Sequence, residues 1–268
     1  MNSVFRRIFK ERRTIVVLGG DVGGGKSTHA RLLVWYCSQR CGVSARYVHV
    51  KSFHALSRFL LLLLLALRYR SHLILRACRL LSPFRFLYEY DQELLVKVFG
   101  VISFLNLLDV AIVALVRQLL LSAFARVLVF EDHVVGYAND AVYFFHALSG
   151  RMGGRSRGAW MVGLLFLLRL LRSRSVIFFL HAPFSELACR WRRRGTPHEY
   201  VEYLLSGRVA ARFLERMGSK LIYVDTKRPL PKVFASLLCA LERALGSRSE
   251  APLQGLHARS LLTVSLNG

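Results

Sequence analysis

The stretch "TIVVLGGDVGGGKSTHARLL", from Thr14 to Leu33, decides the fold class. It contains the pattern G-x-x-x-x-G-K-[ST] without a mismatch, from Gly20 to Ser27, and Thr28 follows. The run Ile15–Leu18 before the loop is β-branched and apolar, which predicts a buried strand. Residues 27–39 after the loop carry apolar side chains at helical spacing, which predicts a helix. Strand, loop and helix therefore come in the order that a phosphate-binding loop requires.

The residue types in this loop suit the phosphates of a nucleotide. Glycines let backbone N–H groups curl around phosphate oxygens at backbone angles and distances that a Cβ would block. Lys26 is expected to reach the β- and γ-phosphates, and the Ser27 hydroxyl is expected to ligate Mg²⁺. A glycine-rich turn without nucleotide is the alternative that the context disfavours. The predicted nucleotide-binding residues here are Gly20, Asp21, Val22, Gly23, Gly24, Gly25, Lys26, Ser27 and Thr28.

Composition bounds the function without selecting it. The 268 residues suffice for one α/β domain with a large core, and a formal net charge of +23 should attract nucleotides, nucleic acid or acidic lipid headgroups alike. Nucleic acid therefore stays open as a partner. The five cysteines include no C-x-x-C pair, which disfavours a zinc site or a disulfide framework and fits a reducing cytoplasm.

Three apolar stretches resemble membrane spans, at 59–67, 98–115 and 159–168. The first and third are shorter than the roughly 20 residues that a spanning helix needs, and the second contains Asn106 and Asp109. We therefore expect buried or dimer-interface helices, and a soluble or peripheral protein. Peripheral membrane contact by the arginine- and leucine-rich segment 55–80 stays open. Residues 1–12 read as a basic arm rather than a secretory signal, because they lack a long apolar segment.

Four further segments have the composition of strands: 45–50, 125–132, 174–182 and 219–226, with helical patterns between them. This alternation predicts an α/β fold with a mostly parallel sheet covered by helices on both faces. The segment 125–132 ends in Glu131 and Asp132, and a carboxylate at this place in a P-loop protein holds Mg²⁺ directly or through water. Both are metal-ligand candidates. If the strand continues, Asp132 points to the face opposite Glu131.

Over about residues 13–245 the chain resembles the thymidylate kinase-like branch of the P-loop nucleoside monophosphate kinases. The resemblance rests on "GGDVGGGKST" and on the segments 107–138, 178–195 and 221–229. It implies a three-layer α/β/α P-loop NTPase fold, ATP and Mg²⁺ as cofactors, and phosphoryl transfer to a nucleoside monophosphate or a related small phosphorylated acceptor. It also implies a homodimer that buries part of 98–123.

Site residues follow from the same resemblance. Glu131 aligns with the acid of the family's third strand. A helix that leads into a mobile lid at about 190–200 is matched by Arg190, Arg192, Arg193 and Arg194. The last three arginines, together with Lys26, are the predicted catalytic residues. Lys227 and Arg228 fall in the loop that holds adenine. The domain limits are then a basic arm at 1–12, a kinase-like domain at 13–245 and a flexible tail at 246–268.

The acceptor side departs from the family pattern. Val22 stands where the family has an aspartate, and Asp132 or His133 replaces an arginine. Another family arginine, near Asp109, is missing, and Arg117 is the nearest candidate. The family's loop after the second strand is replaced by "VKSFHALS". Donor binding is therefore expected to be retained and thymidylate is doubtful as acceptor. These departures favour the alternative function, a P-loop ATPase or GTPase switch that associates with a membrane surface or a protein partner.

Overall fold

The computed structural model describes residues 14–50, 55–69, 83–148, 175–195, 199–216 and 221–246. The proposed arm at 1–12, the tail from 247 onward and the apolar stretch 159–168 lie outside the described residues.

Five strands form one sheet in which every pairing is parallel. They are β1 (Thr14–Gly20), β2 (Ala45–Val50), β3 (Val127–Asp132), β4 (Ser175–His181) and β5 (Leu221–Asp225). The spatial order is β2-β3-β1-β4-β5. Leu18 of β1 lies beside Glu131 of β3 and Phe178 of β4, so the phosphate-binding motif and the acidic strand end meet at one edge. The five predicted strands are confirmed.

Eight helices connect or flank these strands in the described residues. They are α1 (Lys26–Trp35), α2 (Ala55–Tyr69), α3 (Pro83–Tyr90), α4 (Gln92–Ser122), α5 (His133–Leu148), α6 (Phe184–Arg194), α7 (Val201–Arg216) and α8 (Leu230–Gly246). The helix after the glycine loop is shorter than predicted, because α1 ends at Trp35 and continues as one turn of π-helix over Tyr36–Arg40.

Strand residues alternate between two cores, one on each face of the sheet. Val16 and Leu18 pack with side chains of α1 and α8, whereas Val17 packs with side chains of α4, α5 and α7. Such alternation buries both faces of a parallel sheet. The predicted three-layer α/β/α architecture is confirmed.

Helices α2 to α5 add a third apolar cluster beside the sheet, which includes Leu61, Leu95 and Phe99. Asp109 of α4 is buried there, and its Oδ2 accepts hydrogen bonds from the backbone N and the hydroxyl of Ser57, both at 2.6 Å. The carboxylate thus caps the first turn of α2. The Asp109 carboxylate is therefore satisfied within the chain.

Helix α4 is also the helix, among the described residues, that is long and apolar enough to cross a membrane. Its most apolar 18-residue window has a mean hydropathy of 2.3 and is 44% buried inside the protein. The outer side of α4 keeps a row of exposed apolar side chains, which we call the α4 stripe: Val101, Phe104, Leu108, Ile112, Leu115 and Leu119.

Candidate active site

The glycine loop runs from the end of β1 to the start of α1 and has the backbone angles that glycine permits. Gly20 has φ +122°, and a Cβ there would lie 2.1 Å from the carbonyl oxygen of Leu180. Gly25 has φ +84° and is the residue that caps α1. An L side chain is disfavoured at both. The loop is therefore shaped to deliver the free N–H groups of the α1 N-terminus to an anion.

Lys26 closes this loop on itself. Its Nζ donates to the carbonyl oxygens of Gly20, at 3.0 Å, and Asp21, at 3.2 Å, and forms an ion pair with Asp132 Oδ1 at 3.3 Å. The residue is only 9% exposed. The ammonium is thus held over the loop, and its present partners are oxygen atoms that phosphate oxygens can replace.

Ser27 and Glu131 are brought together across β1 and β3, as the sequence predicts for a metal site. The Ser27 hydroxyl donates to Glu131 Oε1 at 2.5 Å, and the Tyr47 hydroxyl donates to Glu131 Oε2. Glu131 is 5% exposed. A buried carboxylate and a hydroxyl are oxygen ligands of the type that Mg²⁺ prefers, so these residues fit that cation.

Asp132 departs from the expected orientation. It is the last residue of β3 and has φ +64°, so the alternation of faces that holds for extended backbone does not apply to it. Its carboxylate turns toward Lys26, and one atom each of His49, Glu131 and Asp132 lie within 4.8 Å of one another. The condition for an opposite-facing Asp132, a strand that continues, is therefore not met, and both acids remain metal-ligand candidates.

His49 joins the acids from the end of β2. Its Nε2 lies 4.0 Å from Asp132 Oδ2, and its ring stacks on Tyr47 with 6.3 Å between centroids. Arg117 of α4 donates to the His49 carbonyl oxygen. The arginine that we considered as a substitute for the family's acceptor contact is therefore bound to the protein backbone.

Asp21 anchors the loop rather than extending the acidic group. Its Oδ2 accepts from the backbone N of Ala182 at 3.2 Å, and it is 3% exposed. Burial raises the pKa of this carboxyl, and the Ala182 hydrogen bond opposes the increase. His29 is likewise buried, which lowers its pKa, and its Nδ1 lies 2.8 Å from the carbonyl oxygen of Gly25. This contact agrees with a packing role for His29.

Helix α6 contributes arginines of two kinds. Arg190 bridges the loops, since its guanidinium donates to the carbonyl oxygens of Gly23, at 3.2 Å, and Thr226, at 2.5 Å. The neighbouring Trp191 is buried and donates to the carbonyl oxygen of Val22 at 3.2 Å. The predicted catalytic arginines, Arg192, Arg193 and Arg194, are exposed at the end of α6, and Gly195 ends the helix with φ +64°.

The proposed adenine loop follows β5 at the same edge of the sheet. Lys227 and Arg228 are exposed, and the Lys227 N–H donates to Asp225 Oδ1 at 2.9 Å, which forms a tight turn. Thr226 is buried and donates to the carbonyl oxygen of His181 at 3.1 Å. Through Arg190, this turn is connected to the phosphate-binding loop.

Tyr47 and His49 were not among the predicted site residues. They are on alternate positions of β2, so a polar pair on one face of a predicted strand was the available signal. Arg190 belongs to the arginine group matched to the lid helix, but its contact with Gly23, 167 residues away in the sequence, was not predicted.

Comparisons with known proteins agree with this arrangement at the level of the fold. No family model and no curated protein sequence matches the chain. Among solved structures, a thymidylate kinase from Candida albicans superposes with a TM-score of 0.52 and 12% identity, over 87% of this chain and 92% of that one. A deoxyadenosine kinase from M. mycoides with bound dATP gives a TM-score of 0.50 and 12% identity, over 85% and 98%. The chain therefore has the three-layer fold of these P-loop kinases.

Proposed function

We propose that the protein is an ATP-dependent nucleotide kinase, which transfers the γ-phosphoryl group to a nucleoside monophosphate or a related acceptor. This proposal rests on three features that occur together: an intact glycine loop, Lys26 hydrogen-bonded to that loop, and Ser27 hydrogen-bonded to the carboxylate of Glu131. Phosphoryl transfer needs charge stabilisation and positioning rather than covalent help from the protein, and these groups provide both.

Each part has an assigned role in this proposal. The backbone N–H groups of the loop and Lys26 bind the β- and γ-phosphates, while Ser27 and Glu131 hold Mg²⁺, which offsets phosphate charge when bound. Arg192, Arg193 and Arg194 are the predicted lid residues that close over the transferring group. Lys227 and Arg228 lie where the purine is expected.

The decisive experiment measures ADP release from ATP alone and with a panel of nucleosides and nucleoside monophosphates. A kinase releases ADP several-fold faster with one acceptor than without any. Equal rates with and without every acceptor would favour the ATPase or GTPase switch. Repeating the assay with GTP in place of ATP shows which of the two nucleotides is hydrolysed.

Lys26→Ala tests the nucleotide site directly. Loss of a charge-assisted contact of about 1.5–3 kcal/mol should weaken ATP binding roughly 10- to 100-fold. Isothermal titration with ATP and Mg²⁺ measures this change, and Lys97→Ala, which removes an exposed lysine paired with Glu93, is the control. Unchanged ATP affinity in Lys26→Ala would refute the assignment of the loop.

One observation favours the switch as a second candidate. Helix α2 exposes Phe59, Leu63 and Leu67 at four-residue spacing, with Arg58 and Arg68 exposed beside them. An apolar face edged by arginines suits an acidic membrane surface or an acidic partner. Cosedimentation with anionic and with neutral vesicles tests this alternative, which requires binding to the anionic vesicles alone. A cytoplasmic location, with or without such peripheral contact, is part of the proposal.

A further inference from the structure

The end of β2 places an imidazole where it adds to the two acids of β3. His49 is 34% exposed and Asp132 is 27% exposed, whereas Glu131 is buried, so solvent reaches the cluster at His49 and Asp132. Each residue offers one ligand atom, and these atoms lie within 4.8 Å of one another. A donor set of one nitrogen and two carboxylates is characteristic of transition metals, whereas Mg²⁺ prefers oxygen alone.

The separations match two ligands of one ion better than a direct hydrogen bond. His49 Nε2 and Asp132 Oδ2 are 4.0 Å apart, which is too long for a hydrogen bond. Ligands at about 2.1 Å from a common ion lie roughly 3–4.2 Å from each other, depending on the angle at the ion. The 4.0 Å separation falls within this range, and the ligand atoms of all three residues lie within 4.8 Å of one another.

Neighbouring residues hold the side chains of His49, Glu131 and Asp132 in place without a bound ion. Arg117 holds the backbone of His49, and the Tyr47 ring stacks on its imidazole. Tyr47 also donates to Glu131 Oε2, and Lys26 holds Asp132 through Oδ1, which leaves Oδ2 on the side of His49. Such support from neighbouring groups is typical of built metal sites.

We propose that His49, Asp132 and Glu131 form a site that binds a divalent transition metal such as Mn²⁺ in the absence of nucleotide. The site shares the two acids with the proposed Mg²⁺ position, but it requires neither ATP nor kinase activity. The imidazole nitrogen of His49 makes this site prefer Mn²⁺ over Mg²⁺.

The test uses the full-length chain after treatment with a chelator, titrated with Mn²⁺ and with Mg²⁺ in the absence of nucleotide. We expect the wild type to bind Mn²⁺ more tightly than Mg²⁺. His49→Ala should weaken Mn²⁺ binding by at least about 10-fold while changing Mg²⁺ binding far less. His146→Ala, which removes an exposed histidine of α5, should change neither.

Electron spin echo spectroscopy of the Mn²⁺ complex gives a readout that a purely structural role of His49 would not move. Modulation from an imidazole nitrogen is expected in the wild type and in His146→Ala, and should be absent from His49→Ala. The proposal is overturned if wild-type protein binds no Mn²⁺ without nucleotide, or if the nitrogen signal and the Mn²⁺ affinity survive in His49→Ala. Because ATP is absent throughout, these outcomes are independent of the ATP titrations that test the proposed kinase.

Discussion

At the scale of single residues, the carboxylate of Glu131 is the most constrained group of the candidate site. Both of its oxygens accept hydrogen bonds, one from Ser27 and one from Tyr47. Asp132 is held differently, because its Oδ1 pairs with Lys26 and its side chain is more exposed than Glu131. The two neighbouring acids therefore have separable functions.

We expect Glu131→Gln to impair Mg²⁺-dependent activity more than Asp132→Asn. The first change removes the charge that lies against Ser27, whereas the second leaves that pair intact and frees Lys26 from its ion pair. Mg²⁺ titration of ATP turnover measures both variants. The reverse ranking would make Asp132 the main metal ligand.

Tyr47 is expected to act as a positioning residue for Glu131. Burial, followed by the hydrogen bond to Glu131, raises the pKa of the Tyr47 hydroxyl, which keeps it a donor across the physiological range. Tyr47→Phe should raise the Mg²⁺ concentration for half-maximal turnover by about 10-fold, since loss of a group that orients a metal ligand typically costs 10- to 100-fold in affinity. Saturating Mg²⁺ should restore most of the maximal rate.

Tyr69→Phe is the matched control for this change. Tyr69 also donates to a carboxylate, that of Asp91 at the start of α4, but outside the candidate site. An equal shift in the Mg²⁺ requirement of both variants would show that the effect of Tyr47→Phe is not local to Glu131.

At the scale of elements, the capping of α2 by Asp109 links two helices of the apolar third cluster. Asp109→Ala removes both hydrogen bonds and leaves the buried Ser57 N–H and hydroxyl without this acceptor. We expect the free energy of unfolding to fall by about 1–3 kcal/mol. Urea unfolding followed by circular dichroism measures the loss, and Glu93→Ala, on the exposed side of the same helix, is the control. Equal stability of the two variants would exclude a capping role.

The elements that the sequence predicts well are those whose signal is local. The apolar runs of β1 and β4 consist mostly of β-branched or aromatic residues, and their predicted limits agree with the structure to within a residue or two. The glycine loop is equally local, because its motif specifies both its conformation and its neighbours.

Local sequence patterns could not predict contacts between distant segments of the chain. Tyr47 and Glu131 are 84 residues apart, and no periodicity indicates that they meet. The alternation of a strand also failed at Asp132, because this residue has a positive φ, which aspartate adopts more readily than most residues but which the apolar pattern of β3 does not indicate. The following helix passes close to it, since a Cβ on Gly136 would lie 3.0 Å from the Cβ of Asp132.

At the scale of the whole molecule, the α4 stripe is an apolar surface that the described part of the chain leaves uncovered. Val101, Leu108 and Leu115 repeat at seven-residue spacing on α4 and are 65%, 39% and 44% exposed. This spacing is that of a seam between two helices, and exposed apolar patches of this kind mark interfaces in soluble proteins. We expect the stripe to pack against its copy in a second chain, as the predicted homodimer requires.

A charge placed in the stripe should therefore separate the dimer. We expect Leu115→Glu to give a monomer or an aggregate in detergent-free buffer, because a carboxylate at the apolar centre of an interface is buried without a partner. Val113 of the same helix is partly buried within the chain, so Val113→Glu is expected to perturb the fold as well. Val209→Glu, on an exposed apolar position of α7, is the control and should leave the dimer intact.

Light scattering coupled to size-exclusion chromatography reports the mass of the wild type and of each variant. A wild-type monomer at micromolar concentration would contradict the dimer. Wild-type protein that leaves membranes only in detergent and resists a high-salt wash would instead mean that α4 inserts into the bilayer.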